Sequence, residues 1–199
     1  MPLASSVRTL PAAVTEFLVV RSPERCQLRA SSNSCSAVKR FLTKNYLWFF
    51  ATALVVLTLD QAVKDWMIAT QPPHVSVPVI DPILRWYLTY NDSAAFSIGF
   101  GVTWVFSIIS GLAALTLLWF GTRMKTRGWA LLAGVLLGGV VGNLIDRLVR
   151  APGFGVGQVV DYIQVPFNFP IFNLADSAIC IVAGIVVILT SRGKKIGGQ

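Results

Sequence analysis

Residues 129–148 read WALLAGVLLGGVVGNLIDRL, and this stretch decides what kind of protein the chain forms. Its length suits a membrane, since about 20 helical residues cross a hydrocarbon core of roughly 30 Å. Gly134, Gly138 and Gly142 recur at every fourth position and form a smooth stripe on which another helix can pack closely. Asn143 and the charges that follow are costly to place in lipid, so they mark a candidate functional site.

The composition of the whole chain supports a membrane protein. Of its 199 residues, 54% are hydrophobic and only 13% are charged, which lies outside the usual range of soluble globular domains. Because lipid offers no water to backbone groups, helices are the expected spanning elements. We therefore predict an all-α integral membrane protein with four transmembrane helices, at residues 46–68, 102–120, 129–148 and 172–190.

Three clusters of cations lie on the same side of these spans. They precede the first span, fill the link between the second and third, and follow the fourth: Lys39, Arg40, Lys44, Arg123, Lys125, Arg127, Arg192, Lys194 and Lys195. The positive-inside rule then predicts cytoplasmic termini and two outer loops, residues 69–101 and 149–171. The net charge of +8 is explained by this topology and by anionic lipid headgroups, and it requires no nucleic acid.

Residues 1–40 differ from the rest, because they are basic, rich in serine and without a recognisable cleavable signal. We predict a disordered tail or an incorrectly assigned start for residues 1–40, followed by a membrane domain at residues 41–195. The three cysteines, Cys26, Cys35 and Cys180, suggest neither a disulfide framework nor a metal site.

The outer loops contain strand-like segments. HVSVPVI (residues 74–80) alternates valine with other residues, and LRWYLTYN (residues 84–91) is rich in β-branched and aromatic side chains. This pattern predicts a small, half-buried antiparallel sheet on the membrane surface. QVVDYIQVPFNFPIFN (residues 158–173) is apolar enough to form an interfacial loop.

Two groups of polar residues fall within the predicted spans. Asp60 and Lys64 stand four residues apart and can pair on one helix face, either as a snorkelling anchor at the helix end or as part of a site. Asn143 and Arg147 also lie one turn apart, which an exposed anchor does not explain. Asp146 beside them is a candidate counter-ion for Arg147 or for the nearby Arg150.

Two further carboxylates lie toward the outer side. Asp161 ends an apolar extended stretch, and Asp176 lies about four residues, or 6 Å, inside the fourth span. Asn173 precedes Asp176 by one turn as a candidate helix cap, and Asn91 can present its amide to a ligand. Two carboxylates brought together can share a proton, one acting as base toward water and the other as acid toward a leaving group.

The ordered set of motifs resembles a known family. DQAVK (residues 60–64), NDSAAFS (residues 91–97), GGVVGNLIDRL (residues 138–148), VVDYI (residues 159–163) and FNLADSAI (residues 172–179) closely resemble the lipoprotein signal peptidases, or signal peptidase II. Each motif alone is weak, but five in order with this topology are specific. The resemblance covers residues 41–195.

The resemblance implies that Asp161 and Asp176 are the catalytic dyad of an intramembrane aspartic endopeptidase. Such enzymes remove the signal peptide of diacylglyceryl-modified bacterial prolipoproteins, cleaving before the lipidated cysteine, without a cofactor or metal. The resemblance also implies that this chain lies in the bacterial inner membrane, in contact with membrane lipids, and we expect it to be a monomer. The expected supporting residues are Asp60, Lys64, Asn91, Asn143, Asp146, Arg147 and Asn173.

Two other classes of protein remain possible from the residues alone. A small channel or transporter would spread its ionisable groups through the depth of the membrane, whereas here they cluster toward the outer side. A non-catalytic membrane subunit that packs through its glycine stripe would tolerate Asn in place of Asp161 and Asp176.

Overall fold

The computed structural model describes the backbone of residues 23–92, 103–121 and 123–198, and within these ranges the side chains from residue 45 to residue 197. The chain divides into two compact units, residues 1–40 and residues 41–199. Helix α1 spans Pro23–Thr70, and residues 1–22 lie outside the described residues. The predicted disorder or incorrect start of residues 1–40 therefore stays a prediction.

Among the described residues, four helical segments are long and apolar enough to cross a membrane. They are Asn45–Thr70 within α1, α2 at Thr103–Gly121, α3 at Arg127–Val149 and α4 at Leu174–Ser191. The four predicted spans are confirmed, with their ends shifted by at most two residues. A short 3-10 helix, Ile196–Gly198, follows α4.

The described residues also form a three-stranded sheet from the α1–α2 and α3–α4 connections. Strand β1 is Ser76–Ile80, β2 is Leu84–Asn91 and β3 is Val159–Gln164, in the order β1-β2-β3 with both pairs antiparallel. The predicted small sheet is thus confirmed. In its register Thr89 lies opposite Asp161, so Asn91, two residues along β2, is a diagonal neighbour of Asp161 on the same face.

The glycine stripe of α3 is covered by α1. A Cβ atom at Gly134 would collide with the Thr52 hydroxyl and the Phe49 carbonyl oxygen. At Gly138 it would come within 2.6 Å of the Ala53 carbonyl oxygen. Because a backbone carbonyl oxygen of α1 is among the obstacles at both positions, the two helices can keep their close packing only while the stripe lacks side chains.

We expect Gly138→Ala to destabilise the fold by about 1–3 kcal/mol, because its methyl group must push α1 away from α3. Gly184→Ala is the matched control, since a Cβ there meets nothing within 4 Å and alanine favours a helix. Thermal unfolding of both variants in the same detergent measures the difference. Equal melting temperatures for the two variants would contradict this account of the α1–α3 contact.

Candidate active site

The ammonium group of Lys64 lies at the centre of a buried polar cluster between α1 and α3. It is 2.8 Å from Asp60 Oδ2, 2.8 Å from Asp146 Oδ2 and 2.9 Å from Asn143 Oδ1. The side chains of Lys64, Asp60 and Asp146 are all fully buried. The alternative interpretation, in which Asp60 and Lys64 snorkel toward the membrane surface, is therefore wrong.

Asp146 ties the end of α3 to two other elements. Its Oδ1 accepts a hydrogen bond from Arg150 Nε at 2.8 Å, and its Oδ2 accepts one from the backbone N–H of Val160 at 3.3 Å. Of the two candidate counter-ions, the structure therefore pairs Asp146 with Arg150. Arg150 continues the chain of charges to Asp65 on α1, at 2.9 Å.

Asp161 on β3 is held by two amides. Its Oδ2 accepts a hydrogen bond from Asn91 Nδ2 at 2.9 Å, and its Oδ1 accepts one from Asn173 Nδ2 at 2.7 Å. Only 2% of the residue is exposed. This burial, together with the charge of Asp176, raises the pKa of Asp161 from its usual 3.8 to about 7, although the two amides oppose the increase.

Asp176 lies in the first turn of α4 and is half-buried. It forms a capping box with Asn173: the Asn173 side chain accepts from the Asp176 backbone N–H, and Asp176 Oδ2 accepts from the Asn173 backbone N–H. Its Oδ1 accepts a third hydrogen bond, from Asn143 Nδ2 at 2.8 Å. Asn173 therefore caps α4 as its position predicted, and it also contacts Asp161.

The start of α4 is fixed by β3, by α1 and by its own cap. The N–H of Leu174 donates to the Tyr162 hydroxyl at 3.2 Å, and the N–H of Ala175 donates to Asp60 Oδ1 at 3.0 Å. The next N–H is the one capped by Asn173, and Ser177 donates to the Asn173 carbonyl oxygen at 3.1 Å. The first N–H groups of a helix lack partners within the helix, and at the start of α4 each of them has a hydrogen-bond acceptor.

Arg147 brings a positive charge to the same region. One of its guanidinium nitrogens donates to the Asn143 carbonyl oxygen at 3.3 Å, and its charge interacts with both Asp161 and Asp176. The side chain is almost fully buried. With Arg147, the structure brings all nine residues predicted for the site into one connected cluster: Asp60, Lys64, Asn91, Asn143, Asp146, Arg147, Asp161, Asn173 and Asp176.

Three contributing residues were absent from the predicted set. Gln61 donates to the Gly142 carbonyl oxygen at 3.1 Å and to Asp146 Oδ1 at 3.2 Å. Its polar side chain inside a span was a usable signal. Arg150 lies four residues after Asp146, a spacing that also pointed to a pair. Tyr162 gave no such signal, because a tyrosine in a strand is commonly part of a core.

The arrangement suits the activation of a water molecule. Two carboxylates from different elements are joined through a pair of amides, since Asn173 Nδ2 also donates to Asn143 Oδ1 at 3.2 Å. With the pKa of Asp161 near neutrality, the pair can hold one proton that is given up and taken back around pH 7. Among the described residues, no group of three or more His, Cys, Asp or Glu side chains is placed to hold a metal ion.

Comparison with known proteins identifies the family. Residues 52–192 match the family model described as signal peptidase (SPase) II. The chain is 42% identical over 147 residues to a lipoprotein signal peptidase of Leifsonia xyli, with 74% of this chain and 68% of that protein covered. It is 41% identical over 143 residues to one from Mycobacterium tuberculosis, with 72% of this chain and 70% of that protein covered.

The fold is also similar to solved structures. Two structures described as a bacterial membrane enzyme superimpose with TM-scores of 0.65 and 0.63, each at 28% sequence identity. They cover 72% and 71% of this chain, and 87% and 91% of their own chains. Family match, relatives and fold agree: this multi-pass bacterial membrane protein is a protease that belongs to the signal peptidase II family.

Proposed function

We propose that this protease removes signal peptides from bacterial prolipoproteins with Asp161 and Asp176 as its catalytic pair, cleaving before a cysteine that carries diacylglycerol. The relatives named lipoprotein signal peptidase support the substrate class. The observation that carries the catalytic assignment is the joined pair of carboxylates. Asn173 binds Asp161, Asn143 binds Asp176, and the two amides bind each other.

The reaction needs no covalent intermediate. One aspartate takes a proton from water as the water oxygen bonds to the carbonyl carbon of the scissile peptide. The C–N bond then breaks, and the other aspartate gives its proton to the departing cysteine nitrogen. The roles of base and acid are assigned to the dyad and not to individual aspartates.

The supporting residues have distinct tasks in this proposal. Asn91, Asn143 and Asn173 hold the carboxylates in place and leave Asp176, the more exposed of the two, to face the substrate. Arg147 offers a positive charge beside the dyad, where negative charge develops on the carbonyl oxygen during attack. Asp60 and Asp146, which are paired with Lys64, accept hydrogen bonds from the backbone next to each aspartate.

A position at the outer face of the inner membrane fits both the charges and the substrate. Asn45 donates to the Lys125 carbonyl oxygen at 3.0 Å, and Lys125 donates to Gly197 at 2.9 Å, so the cationic segments share one end of the bundle. The dyad belongs to the other end, since Lys64 lies 19 residues, or about 28 Å, along α1 from Asn45. The positive-inside rule makes the cationic end, with both termini, cytoplasmic.

This depth also matches a lipidated substrate. A diacylglyceryl group anchors its cysteine at the membrane surface, and Asp176 lies in the first turn of its helix, within reach of that level. The outward faces of the helices are apolar and exposed, for example at Leu54, Leu112 and Val187, as contact with membrane lipids requires. We expect the enzyme to act as a monomer, because the described site is assembled from one chain.

We expect Asp161→Asn and Asp176→Asn each to lower the cleavage rate by about 100-fold or more, because an amide can neither accept nor supply the shared proton. The assay follows the release of the signal peptide from a diacylglyceryl-modified prolipoprotein by purified enzyme in detergent. Asp81→Asn is the control, since this exposed carboxylate pairs only loosely with Arg85 at 3.7 Å. Cleavage at the wild-type rate by either dyad variant would refute the assignment.

We expect kcat/KM to decrease as the pH rises above about 7, because Asp161 then loses the proton that the dyad must donate. A pH series with the lipidated prolipoprotein measures this limb of the profile. Constant activity between about pH 6 and about pH 9 would contradict a shared proton held near neutrality.

The same group should make stability depend on pH. The pKa of Asp161 is higher in the folded protein than in the unfolded chain, so its contribution to stability is complete below 3.8 and is lost as the pH rises to about 7. The melting temperature of Asp161→Asn relative to wild type should therefore be higher at pH 8 than at about pH 5. A difference that does not change with pH would show that the carboxyl group does not titrate in this range.

A further inference from the structure

We propose that Lys64 is a positioning residue that holds the side-chain amide of Asn143 in a single orientation, with its NH2 group directed at Asp176. The inference rests on the proposed function and adds a requirement to the same site. Lys64 itself is fully buried, so it acts on the reaction only through its neighbours.

The chemistry of the ammonium group dictates the orientation. A lysine ammonium has three N–H donors and no acceptor. Its three short contacts are with Asp60 Oδ2, Asp146 Oδ2 and the Asn143 side chain, so each donor has one partner. The Asn143 atom at 2.9 Å must therefore be its oxygen, because an NH2 group there would face another donor.

A second contact favours the same orientation. Asn173 Nδ2 donates to Asn143 Oδ1 at 3.2 Å, so two donors meet at this oxygen. The orientation of Asn173 is itself fixed, because its own Oδ1 accepts the backbone N–H of Asp176 at 3.0 Å. The nitrogen of Asn143 is left on the side of Asp176, 2.8 Å from Oδ1.

The orientation matters because it decides what Asp176 receives. In the observed arrangement the carboxylate accepts an N–H donor, which stabilises its charge while it acts on the substrate. A rotated amide would place an oxygen against the carboxylate and a donor against the ammonium. Both contacts would then be repulsive. Lys64 therefore favours the orientation in which the oxygen and the nitrogen of the Asn143 amide both form hydrogen bonds.

The other two partners of Lys64 contact the backbone beside the two aspartates. Asp60 accepts the N–H of Ala175, the residue before Asp176, and Asp146 accepts the N–H of Val160, the residue before Asp161. One ammonium therefore joins the supports of both aspartates to the amide that contacts one of them. A change at Lys64 reaches the dyad through a single intervening residue.

The test begins with Lys64→Met, which has a similar length and no donor. We expect kcat to fall by about 10- to 100-fold, as for loss of a hydrogen bond to a charged group, while KM changes by less than about 3-fold. Asp81→Asn is the control, because it removes an exposed carboxylate that pairs with Arg85 at 3.7 Å and does not belong to the buried cluster. Melting temperatures establish that each variant is folded.

Two further variants separate positioning from simple support. In an Asn143→Ala background, Lys64→Met should lower kcat by less than about 3-fold more, because the amide that it orients is gone. An equal loss in both backgrounds would overturn the proposal. Asn143→Asp keeps an oxygen for Lys64 and replaces the N–H donor with a carboxylate oxygen, which also brings negative charge to Asp176, so we expect a folded enzyme that loses at least as much kcat.

Asn143→Asp also decides the outcome if Lys64→Met does not fold, since wild-type activity in this variant would refute the need for a donor. The proposed function has a separate criterion. Cleavage at the wild-type rate by either dyad variant would refute the dyad. Loss of cleavage in those variants, with full activity in folded Lys64→Met, would refute the role of Lys64 alone.

Discussion

The architecture of the site depends on how a membrane protein can bury an ammonium group. Lys64 has no exposed surface, so the free energy of desolvating its charge must be offset by short contacts inside the bundle. Asp60 and Asp146 supply the opposite charges, and Asn143 supplies the third acceptor. Removing one member of such a buried group typically lowers the stability of the fold by about 3–5 kcal/mol. Because separating the helices would break the same contacts, α1 and α3 are held in a single relative position.

That requirement has a direct effect on the dyad. The same two carboxylates also hold backbone N–H groups. The second oxygen of Asp60 accepts one from α4, and the Asp146 oxygen that contacts Lys64 also accepts one from β3. Asp161 and Asp176 are consequently mounted on elements whose ends cannot shift without exposing an unsatisfied polar group. The proposed dyad thus lies in a preorganised setting, as electrostatic catalysis requires, although one of its members is carried on a strand and the other on a helix.

Much of this was predictable from sequence, because it depends on local spacing. The glycine stripe, the i,i+4 spacing of Asp60 and Lys64 and the cap at Asn173 are all periodic or short-range features. What could not be predicted is which groups meet across the fold. The contact between Lys64 and Asn143 joins positions 79 residues apart, and the hydroxyl of Tyr162 finds Leu174 only because the sheet and α4 are adjacent. Burial, rather than spacing, excluded the snorkelling of Lys64.

The long separation between Lys64 and its partners also bears on how the chain enters the membrane. At about 5–20 residues per second, several seconds pass between the synthesis of the first span and the arrival of Asn143 at the ribosome exit. During that interval Lys64 has Asp60 on its own helix, so the segment can partition into lipid as a neutral pair. The ion pair at 2.8 Å therefore lowers the cost of keeping the first span in the bilayer before α3 is inserted and adds Asn143 and Asp146 to the cluster.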